Sequence, residues 1–206
     1  MSLPFLSPRQ PRFPTPPCSL LRQAFHLDSD TPEPAAAARR VLQLLLAQDG
    51  STTRLCETVA GGPVELWVYE QRTVDTVPGE VRAVLPGTRF IERITCLAAH
   101  GQVLMDNLTY IALDGLAPDL QRDLEAATLP IGHLLARLWV RRAALATSLS
   151  PTAAPALAQR LWDVVGVPDA PASRSYSIVT PDGPIMLIAE TYRRGMLMTP
   201  HGAPHA

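Results

Sequence analysis

The sequence has few charged residues and few cysteines for its length. Charged residues make up 18% of the 206 residues, the formal net charge is −1, and no block of like charges occurs. Nucleic-acid binding depends on clustered positive charge that neutralises phosphates, so this composition argues against a nucleic-acid partner. The three cysteines, Cys18, Cys56 and Cys96, are odd in number and far apart. We therefore expect neither a disulfide framework nor a thiolate metal site.

Long apolar runs are also missing. No stretch reaches the roughly 18 residues that a membrane-spanning helix requires, and prolines interrupt the apolar start of the chain. A secretory signal peptide needs an unbroken apolar stretch followed by a small-residue cleavage site, and residues 1–27 offer neither. These absences predict a cytoplasmic protein without a membrane partner, in which Cys56 and Cys96 are reduced core residues.

Apolar residues make up 47% of the sequence, which is enough to build one sizeable core. Residues 1–34 hold eight of the 21 prolines, and this density predicts a largely irregular N-terminal arm. At the other end, the Gly- and Pro-containing residues 198–206 predict a flexible tail. A single domain is therefore expected to span residues 35–197.

Hydrophobic periodicity in this domain predicts helices and strands in alternating groups. Helices are expected near residues 35–47, 51–57, 118–127, 133–147 and 153–165, and strands near residues 64–71, 90–97, 103–113, 175–179 and 185–192. Turn residues at His100-Gly101 and Pro181-Asp182-Gly183 join neighbouring strands into hairpins. Such short connections favour antiparallel pairing, so we predict an α+β fold with a mainly antiparallel sheet.

Arg93 lies on a predicted strand among apolar residues. Because side chains alternate along a strand, it shares its face with Ile91, Thr95 and Leu97. A charge on such a face is costly unless it is paired. Arg93 therefore lies at an edge of the sheet, pairs with an internal carboxylate, or binds a small anion.

Glu190 occupies a similar position on the last predicted strand, on the same face as Met186 and Ile188. A carboxyl group in apolar surroundings is a candidate for acid–base chemistry. The alternative is a structural ion pair with Arg93 or Arg174.

The segment from Thr128 to His133 places Gly132 at the start of a predicted helix. Free backbone amides at a helix start can bind an anion or a carboxylate, although an ordinary junction between loop and helix explains the same pattern. His133 has no serine or cysteine motif to pair with, and no metal-ligand spacing occurs in the sequence. We therefore expect His133 at the surface and no metal site.

Together, these segments resemble the chorismate pyruvate-lyase family in the same order along the chain. The resemblance covers about residues 36–195. It rests on the helix and polar junction at residues 44–54, the strand Glu92–Leu97, the turn Leu129-Pro130-Ile131-Gly132, and the hairpin of residues 174–178 and 183–190.

The resemblance implies an antiparallel sheet with helices on one side and a ligand enclosed between them. It also implies a cofactor-independent lyase that eliminates pyruvate from chorismate and leaves 4-hydroxybenzoate. Arg93 and Glu190 would be the catalytic residues, with Arg93 holding the ring carboxylate and Glu190 near the ring oxygen. Thr52, Ile131 and Gly132 would complete the substrate site, the first two through their backbone amides.

Two features keep alternatives open. Leu108 stands where several of these lyases have an arginine, on the strand after the one that carries Arg93. The same fold resembles the effector-binding domains of some transcription regulators, although residues 1–34 are too short and Pro-rich for a DNA-binding winged helix. A non-catalytic binding module for a hydroxybenzoate-type molecule is therefore the alternative function.

A third hypothesis is a structural protein in which Arg93 and Glu190 pair with each other. The sequence leaves the oligomeric state open.

Overall fold

The computed structural model describes residues 33–148, 155–166 and 172–197. In chain order its elements are α1 (Glu33–Ala47), α2 (Thr52–Ala60), β1 (Glu65–Val74), α3 (Gly79–Arg82), β2 (Phe90–Ala99), β3 (Gln102–Ala112), α4 (Pro118–Ala126), α5 (Ile131–Leu135), β4 (Arg141–Ser148), α6 (Ala156–Val165), β5 (Ala172–Thr180), β6 (Gly183–Tyr192) and a 3-10 turn (Arg194–Leu197). The tail predicted for residues 198–206 and the arm predicted for residues 1–34 lie outside the described residues, apart from the start of α1.

The strands form a six-stranded sheet in the order β1-β2-β3-β6-β5-β4, and each neighbouring pair is antiparallel. The β2–β3 hairpin turns at His100 and Gly101, whose φ angles of 52° and 73° are both left-handed. Two such residues give the turn that matches the twist of the flanking strands. The prediction of an α+β fold with an antiparallel sheet is confirmed.

The central strands are buried on both faces of the sheet. The helices α1, α2, α4 and α5 pack on the face that carries Arg93 and Glu190, which we call the site face. This arrangement is the one that the family resemblance implies. On the opposite face, α6 and the one-turn helix α3 pack on the alternate residues of the same strands, including Ile94 and Leu108. The core therefore has a layer on each side of the sheet.

The start and end of α2 follow from capping residues. The Ser51 side chain accepts a hydrogen bond from the backbone amide of Arg54, which satisfies one of the free amides of the first turn. Gly61 ends the helix in a left-handed conformation, with φ of 70°. These caps place the buried side chains of Thr52 and Thr53 against the site face.

The long helix predicted for residues 133–147 is wrong. The short helix α5 ends at Leu135, and Arg141–Ser148 forms the edge strand β4, in which Arg142 lies opposite Ile178 and Thr147 lies opposite Arg174. The alanines of this segment favour a helix, but helix propensity is a weak preference that tertiary pairing overrides. Pairing with β5 therefore decides the conformation.

An ion pair between Asp106 and Arg193 is buried on the opposite face. Arg193 donates to the Asp106 carboxylate and also to the backbone carbonyls of Val165 and Gly166, so it ties the end of α6 to β3. The second carboxylate oxygen of Asp106 has no partner among the described atoms. Burial raises the pKa of Asp106 to about 6, and Arg193 opposes the rise.

We expect the wild-type protein to gain stability relative to an Asp106→Asn variant as the pH falls from about 7 to about 4. The ionised carboxylate costs free energy in the folded state above the folded pKa of about 6. Most of this cost has disappeared at pH 4, where the folded-state carboxyl is protonated, so the difference should change by about 2 kcal/mol. Urea unfolding at the two pH values measures it, with Asp182→Asn as a control that removes an exposed carboxylate. A difference that stays constant with pH would contradict the prediction.

Candidate functional site

Polar side chains form a block in the middle of the site face. The strand register places Thr95, Asn107, Glu190 and Arg174 in one row across the sheet, and Arg93, Thr109, Ile188 and Tyr176 in the next row. The neighbouring rows are apolar: Leu97, Met105 and Tyr192 on one side, and Ile91, Ile111, Met186 and Ile178 on the other. The polar block is therefore enclosed within the hydrophobic core.

A cavity of about 40 Å³ lies between this block and the starts of α2 and α5. Its polar lining residues are Thr52, Thr53, Thr95, Asn107, Arg142, Tyr176 and Glu190. Leu135 and Ile188 are among the apolar ones. At roughly 10–15 Å³ for each water-sized group, the cavity has room for about three such groups. It therefore suits a small polar group, such as a carboxylate, without rearrangement.

Glu190 lines the cavity, but both of its carboxylate oxygens are engaged. One oxygen accepts hydrogen bonds from Arg174 Nε at 2.8 Å and from Thr52 Oγ1 at 3.1 Å, and the other accepts from the Tyr176 hydroxyl at 2.6 Å. Burial acts to lower the pKa of Arg174, but the charge and hydrogen bond of Glu190, together with Tyr192 and Tyr176, outweigh it and the pKa is raised. Of the alternatives that the sequence leaves open, the ion pair with Arg174 is the one that forms.

Arg93 is fully buried and has no carboxylate partner among the described residues. Its Nη2 donates to the backbone carbonyl of Leu129 at 3.1 Å and to that of Ala127 at 3.5 Å. Its Nε and Nη1 have no partner among the described atoms. Burial lowers the pKa of Arg93 to about 10, with no opposing charge. Arg93 is not among the residues that line the cavity, but Thr95, two residues along the same face, and Pro130, next to Leu129, both are.

Arg142 is a site residue that the sequence analysis missed. It lines the cavity from β4, its guanidinium carbon lies 5.1 Å from the centroid of the Tyr176 ring, and its Nη1 donates to the Asp49 carbonyl at 2.7 Å. Its Nε is buried without a partner among the described atoms. The sequence predicts a helix over residues 133–147, so Arg142 is not placed on the buried face of a strand and does not become a candidate.

The predicted residues Thr52, Ile131 and Gly132 all line the cavity. Gly132 is so close to α2 that a Cβ atom at this position would lie 2.3 Å from Thr53 Oγ1. A side chain larger than hydrogen therefore cannot fit without displacing Thr53. Thr52 begins α2, where the first amides have no partner within the helix.

Asn107 also lines the cavity and lies between Thr95 and Glu190 in the register. The Thr109 hydroxyl donates to its side-chain oxygen at 2.5 Å. The side-chain nitrogen of Asn107 is thereby left as the group that can donate to a ligand. Asn107 precedes Leu108, the position that the resemblance matches to an arginine of the lyases, so the resemblance gives no signal for Asn107.

The remaining predictions concern residues away from the cavity. Leu108 is fully buried on the opposite face, so the position compared with the lyases' arginine does not face the ligand space. His133 lies at the surface, where it contacts Glu57 at 3.0 Å. Within residues 33–148, 155–166 and 172–197, no group of acidic, histidine or cysteine side chains is arranged to hold a metal ion. In the same ranges, no helix has the length and apolar character needed to cross a bilayer.

No protein-family model matches the chain, and no curated protein matches it. Among solved structures, it is similar to the ligand-binding domain of a protein assigned to the GntR family of transcriptional regulators from Bordetella bronchiseptica. That match has 18% identity and a TM-score of 0.41, and covers 64% of this chain and 84% of that one. For the C-terminal domain of the histidine utilization repressor from Pseudomonas syringae pv. tomato, the identity is 9%, the TM-score 0.44 and the coverage 69% and 97%. A GntR-family regulator from Bacillus cereus has 10% identity, a TM-score of 0.42 and coverage of 63% and 90%.

The prediction of a chorismate pyruvate-lyase that serves aromatic acid biosynthesis is wrong. The similar solved structures include the ligand-binding domain of a GntR-family regulator, the C-terminal domain of a repressor and another GntR-family regulator. The site agrees with this correction. The Glu190 carboxylate, which the lyase prediction made catalytic, already accepts hydrogen bonds from Arg174, Thr52 and Tyr176. The hypothesis of a structural pair between Arg93 and Glu190 is also wrong, because Glu190 pairs with Arg174.

Proposed function

We propose that this protein is a non-catalytic binding module for a small organic anion of the hydroxybenzoate type. The observation that carries the proposal is the buried Arg93 guanidinium, which has two unpartnered nitrogens and no carboxylate partner among the described residues, and whose strand neighbour Thr95 lines the cavity. An unpaired buried charge is costly. A bound carboxylate would reduce this cost by neutralising the charge and accepting a charge-assisted hydrogen bond from Nε or Nη1.

The charges around the cavity support an anionic ligand. Arg174 is neutralised by Glu190, which leaves Arg93 and Arg142 without an acidic partner in the described part of the chain. The site face therefore has an excess of positive charge in a desolvated setting. An electrically neutral ligand would leave this excess uncompensated, whereas an anion would balance part of it.

Hydrogen-bond donors around the cavity support the same ligand class. The hydroxyl groups of Thr53 and Thr95 and the side-chain amide of Asn107 line it. The backbone amide of Thr52, at the start of α2, is another candidate donor. Ile131 and Gly132 form the wall opposite the sheet. In this proposal Arg93 and the donors hold the carboxylate, and Glu190 positions Thr52 and Tyr176 without taking part in chemistry.

Calorimetric titration with 4-hydroxybenzoate tests the proposal, with acetate as a probe that needs less room. We expect binding without turnover, and we expect Arg93→Met to weaken it about 100-fold. This estimate follows from about 1.5–3 kcal/mol for each hydrogen bond to a charged group. The same variant should be at least as stable as the wild type in the absence of ligand, because it removes an unpaired buried charge.

Arg89→Met is a matched control, since it removes the same charge from an exposed position just before β2. It should bind both probes like the wild type. Two results would overturn the proposal: no binding of either probe by the wild type, or equal affinities of the Arg93→Met and Arg89→Met variants.

A further inference from the structure

Arg142 holds the edge strand β4 to the junction between α1 and α2. The residue lies opposite Ile178 in the strand register, so its backbone is fixed by pairing with β5. Its guanidinium group lies over the Tyr176 ring and donates to the Asp49 carbonyl, three residues before Thr52, which is a hydrogen-bond partner of Arg174. One side chain therefore bridges two distant parts of the chain next to the cavity.

Arg142 and Glu190 are the charged residues that line the cavity, and they differ in solvent exposure. Glu190 is buried, whereas Arg142 is half-buried and its guanidinium group has one nitrogen bonded to Asp49 and another, Nε, without a partner among the described atoms. The other half-buried lining residues are uncharged: Leu66, Asn107, Ile131 and Gly132. Arg142 is thus the charged group of the cavity wall that is open to solvent.

The exposed position of Arg142 matters because the cavity is too small for the whole ligand. About 40 Å³ accommodates a carboxylate but not a substituted ring, so a hydroxybenzoate-type ligand requires part of the wall to move. Among the described atoms, Arg142 is held by one hydrogen bond to a backbone carbonyl and by its contact with the Tyr176 ring. A half-exposed side chain of this kind moves at lower cost than a packed core residue.

We propose that Arg142 is the entry and selectivity residue of this site. An arriving anion pairs with its unpartnered Nε, the Nη1 bond to Asp49 is exchanged for a bond to the ligand, and the displaced guanidinium group opens the space that the ring occupies. A positive charge at the entrance attracts anions and raises their association rate in a salt-dependent manner. This inference rests on the proposed function, because it needs an anion that binds at Arg93.

The experiment compares Arg142→Met with Arg141→Met. The two arginines are neighbours on β4 and point to opposite faces, so both variants lose one positive charge from the same strand and only one loses it from the cavity. Stopped-flow association of 4-hydroxybenzoate is measured at low and at physiological ionic strength. Arg142→Met is expected to lower the association rate constant about tenfold or more and to reduce its salt dependence, as expected for loss of electrostatic steering. Arg141→Met should match the wild type.

Two further measurements sharpen the outcome. Arg142→Lys keeps the charge but loses the guanidinium geometry, so it should retain the salt dependence and show a lower affinity. The association rate constant of the neutral probe 4-hydroxybenzamide should be the same for Arg141→Met and Arg142→Met. If the wild type binds 4-hydroxybenzoate, Arg93→Met loses it, and Arg142→Met behaves like Arg141→Met, the inference about Arg142 is overturned while the proposed function stands. If the wild type binds no probe, both are overturned.

Discussion

Replacing Arg174 by methionine is expected to lower the free energy of unfolding by about 3–5 kcal/mol. Arg174 is fully buried and pairs with Glu190 through Nε, while its other nitrogens donate to Thr52 and to the backbone carbonyls of Leu45 and Gln48. Removal of the guanidinium leaves the Glu190 carboxylate buried without a counter-charge. It also leaves the backbone carbonyls at the end of α1 without their donor, so α1 should detach from the sheet more readily.

Chemical denaturation of Arg174→Met, Glu190→Met and the double variant measures this effect. The double variant should recover part of the loss, because a buried ion pair can often be replaced by apolar residues at small cost. Recovery should be incomplete, since the carbonyls of Leu45 and Gln48 remain unpaired. If the Arg174→Met and Glu190→Met effects simply add in the double variant, the two residues do not act as a pair and the prediction fails.

Gly132→Ala should both destabilise the protein by about 1–3 kcal/mol and weaken binding of 4-hydroxybenzoate about tenfold or more. The added methyl group would lie 2.3 Å from Thr53 Oγ1 and 3.1 Å from Ser51 Oγ, at the point where α5 meets the start of α2. Alanine ordinarily favours a helix over glycine, so any loss of stability reports the contact with α2 and not helix propensity.

Gly62→Ala provides the matched control, because nothing lies within 4 Å of a Cβ atom at Gly62 and its φ is not left-handed. A second substitution, Thr53→Ala, removes the closest atom and should restore part of the stability of Gly132→Ala. A Gly132→Ala protein with wild-type stability and affinity would show that α5 can move away from α2 at no cost, which would contradict the prediction.

The faces of the strands could be predicted from the sequence because alternation in a strand is a local property. Arg93 and Glu190 each share a face of their strand with the apolar neighbours that alternation predicts, and both are buried. The helix junction at Ser51 and the turn at His100 likewise follow from local chemistry, capping in one case and left-handed backbone in the other. These features need no knowledge of distant contacts.

The partners of the buried charges could not be predicted in the same way. Glu190 pairs with Arg174 because β5 lies next to β6, whereas Arg93 lies on β2, with β3 between them. Only the order of strands decides between the two arginines, and strand order depends on the whole chain. Arg142 was missed for a similar reason, since pairing with β5 overrides the helical preference of its alanine-rich surroundings.

The position of β4 at the edge of the sheet has a thermodynamic consequence. Among the described residues, no strand pairs with its outer side, and edge strands open more readily than central ones. Arg142 can contact a ligand only while β4 is in place, so molecules in which β4 is undocked lack this contact and bind the ligand more weakly. Anything that restrains this edge, including a strand added by another chain, would tighten ligand binding without touching the ligand. The affinity of the cavity for its ligand therefore depends on how stably β4 pairs with β5.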